Sequence, residues 1–159
     1  MKRFACMLLI AALFFLFGCG QGNGTAGASK EYGDDYAQRV ADAWKEKGYL
    51  DEMARYSDTD LLDYYGIDLS ACKCGAGFSD AVGYTTEAVV VVADGDVADG
   101  IESLLNEHVA SMKEVFRSYD PEAYKIAENA VMLREGQLIV MIISPDAQAM
   151  LDTLRTVAP

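Results

Sequence analysis

Histidine is almost missing from this 159-residue chain: there is one, His108, along with one tryptophan and three prolines. A single imidazole excludes the His-Glu-x-x-His zinc hydrolases, and no Gly-x-Ser-x-Gly turn offers a serine nucleophile. Basic side chains are also scarce, 13 against 25 acidic ones. An acidic surface repels nucleic acid and anionic lipid head groups, so neither is expected as a partner. The four cysteines, Cys6, Cys19, Cys72 and Cys74, are too few and too scattered for a four-ligand zinc site. No cofactor motif is present. Apart from Phe4–Phe17, no long apolar run occurs, and that run falls short of the roughly 20 residues a spanning helix needs.

What stands at the N-terminus is an export signal. Met1, Lys2 and Arg3 give a positive start, and Phe4–Phe17 is uninterrupted by any polar residue, the length of a signal's apolar core. Leu16-Phe17-Gly18-Cys19 follows and resembles the lipobox of bacterial lipoproteins, with Phe17 at a position usually held by a smaller residue. That resemblance implies cleavage between Gly18 and Cys19 and a diacylglyceryl group on the Cys19 sulfur. Two acyl chains anchor stably where one binds only marginally. The competing site for an ordinary secreted product is Ala26-Gly27-Ala28. Cys6 sits inside the apolar run as one more hydrophobe.

Removal of residues 1–18 takes Lys2 and Arg3 and no acid, so the net charge moves from −12 to −14. Residues 19–33 then comprise the lipidated cysteine and a Gly-rich, nearly apolar-free tether with an r.m.s. reach on the order of 20 Å. Residues 34–159 suit a single domain. Asp34 or Asp35 caps a helix whose stripe is Ala37, Val40, Ala41 and Trp44, and Gly48 ends it. A short helix is expected over Leu50–Arg55. Ser57-Asp58-Thr59-Asp60 reads as a capping box opening another, stopped by Gly66. Residues 68–84 read as loop with a short edge strand near Ala81–Tyr84. Val89–Val92 is β-branched throughout, which marks an interior strand buried on both faces. Asp96 caps a long helix that Asp120-Pro121 ends. Ala130–Leu133, a turn at Gly136, and Leu138–Ile143 form a hairpin, and Ser144-Pro145 opens the last helix. One strand, a helical crossover, and a hairpin whose return strand inserts beside the first predict an α+β fold. Its form would be a ferredoxin-like half-sandwich with an antiparallel or mixed sheet, preceded by N-terminal helices.

The stretch Glu87–Ser144 also resembles a family of small lipoproteins of Gram-positive bacteria that carry a domain of unknown function, numbered 4358. The likeness lies in the valine-rich strand, Phe116-x-x-Tyr119-x-Pro121-Glu122, Ala130-Val131, and Gly136-x-Leu138-Ile139-Val140-x-Ile142-Ile143-Ser144. It implies a fold and an address, and carries no catalytic residue or ligand.

Four features could carry chemistry. His108 with Glu107 or Asp99 could act as a general base, or simply pack on a helix face. Cys72-Lys73-Cys74 could form a strained, reducible disulfide outside the cell, with Lys73 favouring the thiolate; the bland reading is two incidental thiols. Asp94-Gly95-Asp96-Val97-Ala98-Asp99 faintly suggests a calcium loop, but Leu105 stands where the bidentate glutamate belongs, and a strand-to-helix turn explains the aspartates. Nine tyrosines suggest a contact surface for sugar or peptide, with Tyr49, Tyr56, Tyr64, Tyr65 and Tyr84 the group that could share one side. The reading that fits best is a non-catalytic interaction domain, lipid-anchored at the extracytoplasmic face of the cell membrane, with an envelope protein or ligand as partner. A thiol-redox protein or another envelope enzyme is the alternative. Mass spectrometry of the mature N-terminus should find a thioether-lipidated Cys19; a free N-terminus at Ser29 would contradict it.

Overall fold

The computed structural model describes residues 30–80 and 83–159. The expected signal, Gly18, Cys19 and most of the tether lie outside the described residues. The elements run α1 (Tyr36–Glu46), β1 (Met53–Arg55), α2 (Asp58–Tyr65), a 3-10 turn (Leu69–Ala71), β2 (Cys74–Asp80), β3 (Glu87–Val92), α3 (Gly95–Phe116), α4 (Pro121–Glu128), β4 (Val131–Glu135), β5 (Leu138–Ile143) and α5 (Ala147–Thr156).

The two wholly apolar runs pair with each other. β3 and β5 are antiparallel neighbours, with Val90 opposite Val140 and Val91 opposite Ile139. Every residue of both strands is buried. The sheet order is β1-β2-β3-β5-β4, and each neighbouring pair is antiparallel. As the sequence predicts, the hairpin's return strand lies between β3 and β4.

The layering differs from the expected half-sandwich. Strand side chains alternate between faces. Ala88, Val90, Val92, Leu138, Val140 and Ile142 pack with α1 and α5, whereas Val89, Val91, Ile139, Met141 and Ile143 pack with α2, α3 and α4. The result is three layers, helix–sheet–helix, because strands apolar at every position need cover on both sides. On the first face Trp44, fully buried, donates its indole N–H to the Met150 carbonyl at 2.8 Å and ties α1 to α5. Tyr32 is also buried there, edge-on to Tyr36, so packed structure begins inside the stretch expected to be tether.

Two further expectations are corrected. Leu50–Arg55 is not a helix: a turn carries the chain from Gly48 (φ +79°) into β1, which pairs with Phe78–Asp80. Residues 68–84 are not mainly loop, because Cys74–Asp80 is a full strand pairing with both β1 and β3. Its sequence, CGAGFSD, lacks β-branched residues because helices dock directly on its backbone. A Cβ on Gly77 would come within 2.5 Å of Leu61 Cδ2, and one on Gly75 within 2.5 Å of Leu69 Cδ2. The expected edge strand near Ala81–Tyr84 falls partly outside the described residues; Gly83 and Tyr84 are turn and bend.

Helix ends shift by small steps. Asp94, not Asp96, is the N-cap of α3. α3 ends at Phe116 with Arg117 as its C-cap, and Asp120 opens α4, accepting from the Glu122 and Ala123 amides with Pro121 in the first turn. Ser144 accepts from the Asp146 amide, and Asp146 is the N-cap of α5.

Val91 has no exposed surface. Val91→Asp should destabilise the domain by at least about 4 kcal/mol, since it places an unpaired charge in the apolar layer between the sheet and α2–α4. Urea unfolding checks this, and a loss below about 1 kcal/mol would contradict the buried pairing.

Candidate functional site

The chemistry-bearing side chains gather where β3 begins. Ser57 and Asp60 form a reciprocal capping box that starts α2, and Gly66 in the left-handed region ends it. Neighbouring helix residues point about 100° apart, so Tyr65 turns inward, 4% exposed, while Tyr64 turns outward, 55% exposed. Glu87 heads β3 and is 2% exposed. A carboxylate so placed is costly unless it is paired. Glu87 Oε2 accepts the Tyr65 hydroxyl at 2.7 Å and lies 2.6 Å from His108 Nε2 on α3. One oxygen therefore joins α2, β3 and α3. The Tyr65 hydroxyl is held far above its ordinary pKa, first by burial and then by the Glu87 charge and hydrogen bond, so it remains a donor. The Tyr65 ring meets the His108 ring edge-on at 4.7 Å.

A second carboxylate shapes the adjoining turn. Asp80 ends β2, and its two oxygens accept from the amides of Gly83, Tyr84, Thr85 and Thr86 and from both threonine hydroxyls. Burial alone would raise its pKa, but these donors outweigh burial and hold it at about 2. Within this clamp Tyr84 takes φ +51°, the one positive φ among described non-glycine residues. An L-residue there costs roughly 1–2 kcal/mol. The six bonds to Asp80 fix that conformation and set the Tyr84 ring, 49% exposed, 6.4 Å from the Tyr64 ring. Tyr56 backs the pair, 5.4 Å from Tyr64 and 5.7 Å from Tyr65. Four of the five tyrosines grouped by sequence thus share one face. Tyr49 packs instead against the opposite core.

The other candidates do not converge. Cys72 and Cys74 are free and half-buried, Cys72 against the core beneath α2–α4 and Cys74 against the core beneath α1 and α5. Their hydrogens go to the carbonyls of Asp68 and Gly33 respectively. Burial raises both thiol pKa values, opposite to the activation expected from Lys73, whose ammonium bonds Gln137. Asp94 is taken by Gln137 and Asp99 by Arg134, at 2.9 Å for the latter. His108 pairs with neither Glu107 nor Asp99 but with Glu87, 21 residues away. Among the described residues no group of three or more potential metal ligands exists, and no helix is long and apolar enough to cross a membrane.

Sequence reasoning missed Glu87 and Asp80. Glu87 had a signal: a lone acid opening an otherwise apolar, interior strand demands a partner. For Asp80, an aspartate followed closely by glycine and two threonines is the composition of a side-chain-bonded turn.

The family model described as a domain of unknown function, DUF4358, matches residues 46–144. The chain belongs to this family. The DUF4358 match contains β1 to β5 and α2 to α4, and with them Tyr56, Tyr64, Tyr65, Asp80, Tyr84, Glu87 and His108; α5 and nearly all of α1 fall outside it. No match was found among curated proteins or among solved structures.

The Asp80 clamp of this DUF4358 domain has a pH signature. A carboxylate whose folded pKa, about 2, lies below its ordinary value of 3.8 adds stability above the unfolded value and loses it as pH falls through the folded one. Asp80→Asn should cost about 1–2 kcal/mol at pH 7, allowing for solvent screening. The gap from wild type should close as pH falls from about 4 to about 2. Urea titrations across that range decide it, and a constant gap would contradict the ionised clamp.

Proposed function

We propose that the protein is a non-catalytic binding domain, held by a lipid on Cys19 at the outer face of the cell membrane, that engages an envelope partner through Tyr64 and Tyr84. The address rests on Lys2-Arg3, the apolar run and Leu16-Phe17-Gly18-Cys19. The observation that carries the binding reading is the Asp80 clamp. Six hydrogen bonds hold a tyrosine in an unfavourable backbone conformation with half its surface in solvent. Packing gains little from a ring so exposed, whereas a rigid aromatic contact loses little entropy when a partner arrives.

The catalytic alternatives draw less support. His108 Nε2 and the Tyr65 hydroxyl both engage the buried Glu87 oxygen, and among the described residues neither is hydrogen-bonded to a serine, threonine or cysteine that could serve as nucleophile. Cys72 and Cys74 have raised pKa values and pack against different cores, which disfavours a thiolate couple.

A photo-crosslinking residue placed at Tyr64 in the full-length protein, in intact cells, should give discrete adducts that Tyr84→Gly abolishes. The same residue placed at Asp152, exposed on α5, which covers the opposite face of the sheet, should not give them. Equal adducts from both positions, or adducts indifferent to Tyr84→Gly, would overturn the assignment.

A further inference from the structure

Tyrosine rings elsewhere in this chain already show what such a ring takes when a carboxylate stands beside it. The Arg39 guanidinium lies 5.4 Å from the Tyr36 ring centre and pairs with Asp35 at 3.2 Å. Arg117 lies 5.9 Å from the Tyr124 ring and pairs with Glu114 at 3.3 Å. In both, a planar cation sits on an aromatic face while a carboxylate takes its charge. Tyr64 repeats two parts of this arrangement. It is an aromatic ring, and carboxylates stand near it in the helix: Asp60 one turn earlier in α2 and Asp63 adjacent, with the ring itself exposed. The cation is what its own stretch of chain does not supply. From Tyr56 to Met112 the sequence has no arginine and one lysine, Lys73; apart from His108, every other ionic side chain in that stretch is a carboxylate. Lys73 is turned to Gln137, at 3.4 Å, and His108 is spent on Glu87. Arg55, just before Tyr56, is committed to the Phe78 ring and to Gln38.

We propose that the partner of the Tyr64–Tyr84 face is an arginine-bearing polypeptide segment, whose guanidinium groups stack on the two rings and bond to Asp60 and Asp63. This rests on the binding reading above and adds the chemistry of the partner. The two exposed rings lie 6.4 Å apart and are tilted by 39°, a spacing that suits an extended segment. Arginine is favoured over lysine because its planar group covers a ring and still offers donors at its edge. The acidic field of the mature chain speeds the approach of such a segment. An uncharged glycan would gain from the rings and nothing from the charge.

The test uses the full mature chain in a nonionic detergent micelle. Its probe is a labelled peptide alternating arginine and glycine, beside the same peptide with citrulline, which keeps the shape and removes the charge. The arginine peptide should bind at least about tenfold more tightly than the citrulline peptide. Tyr64→Ala combined with Tyr84→Gly should weaken it about tenfold or more, as should Asp63→Asn combined with Tyr64→Ala. Glycine accepts the φ of Tyr84 without strain, and Tyr64 is exposed, so these variants keep the fold. Glu46→Gln with Asp152→Asn, on the helices that cover the opposite face of the sheet, should change binding by no more than about twofold. Equal binding of both peptides overturns the proposal. So does an equal loss from the remote pair, which would mean attraction by the overall charge alone. If Tyr84→Gly abolishes the Tyr64 adducts in cells while the arginine peptide fails to bind, the binding reading stands and the cationic partner falls. If those adducts are also unchanged, both fall.

Discussion

The antiparallel pairing of β3 with β5 is the constraint from which the rest of the architecture follows. Val89–Val92 and Leu138–Ile143 are apolar at every position, and every one of those side chains is buried. Each fully buried side chain of this size contributes roughly 1.5–3 kcal/mol, but only where both faces of the sheet are dry. α1 and α5 cover one face, and α2, α3 and α4 cover the other. The glycines of β2 let α2 and the 3-10 turn approach the backbone, and the loops fall at the ends of the central strands.

Where the apolar ladder stops, polar chemistry begins. Glu87 is the last residue of that ladder, opposite Ile143 and Ser79, and still inside the fold. Its carboxylate stays buried because Tyr65 and His108 serve it from the two helices packed above. Asp80, at the adjoining end of β2, does the same for the following turn by collecting its free amides. The exposed rings of Tyr64 and Tyr84 therefore stand on fixed supports: one follows from the direction of α2, the other from a carboxylate-bound turn. A rigid surface of this kind suits recognition, because less freedom is lost when a partner docks.

Legibility in the sequence followed the locality of the signal. The pairing of Val89–Val92 with Ile139–Ile143, the capping box at Ser57 and Asp60, and the positive φ of Gly136 all rest on runs of a few residues, and each stands in the structure. β2 was missed because its glycines answer to side chains of α2 and the 3-10 turn, not to strand propensity. The α+β class and the inserted return strand stand, but the full helical layer on each face was not legible, because periodicity says that a strand is covered on both faces, not which helix covers which. At the candidate site the sequence grouped the tyrosines but could not single out Glu87 as the partner of His108, since that contact joins two elements 21 residues apart. Cys72-Lys73-Cys74 stood out as local spelling, yet the fold turns the two thiols toward different cores.

The central claim is that the tyrosine face is preformed on the sheet, not assembled when a partner binds. Amide hydrogen exchange of the isolated mature protein, read residue by residue, tests it most directly. The account predicts slow exchange for Tyr84, Thr85 and Thr86, whose amides are held by Asp80, within about two orders of magnitude of the β3 and β5 amides. Exchange of those three amides at the rate of an unstructured loop, beside a protected sheet, would contradict it.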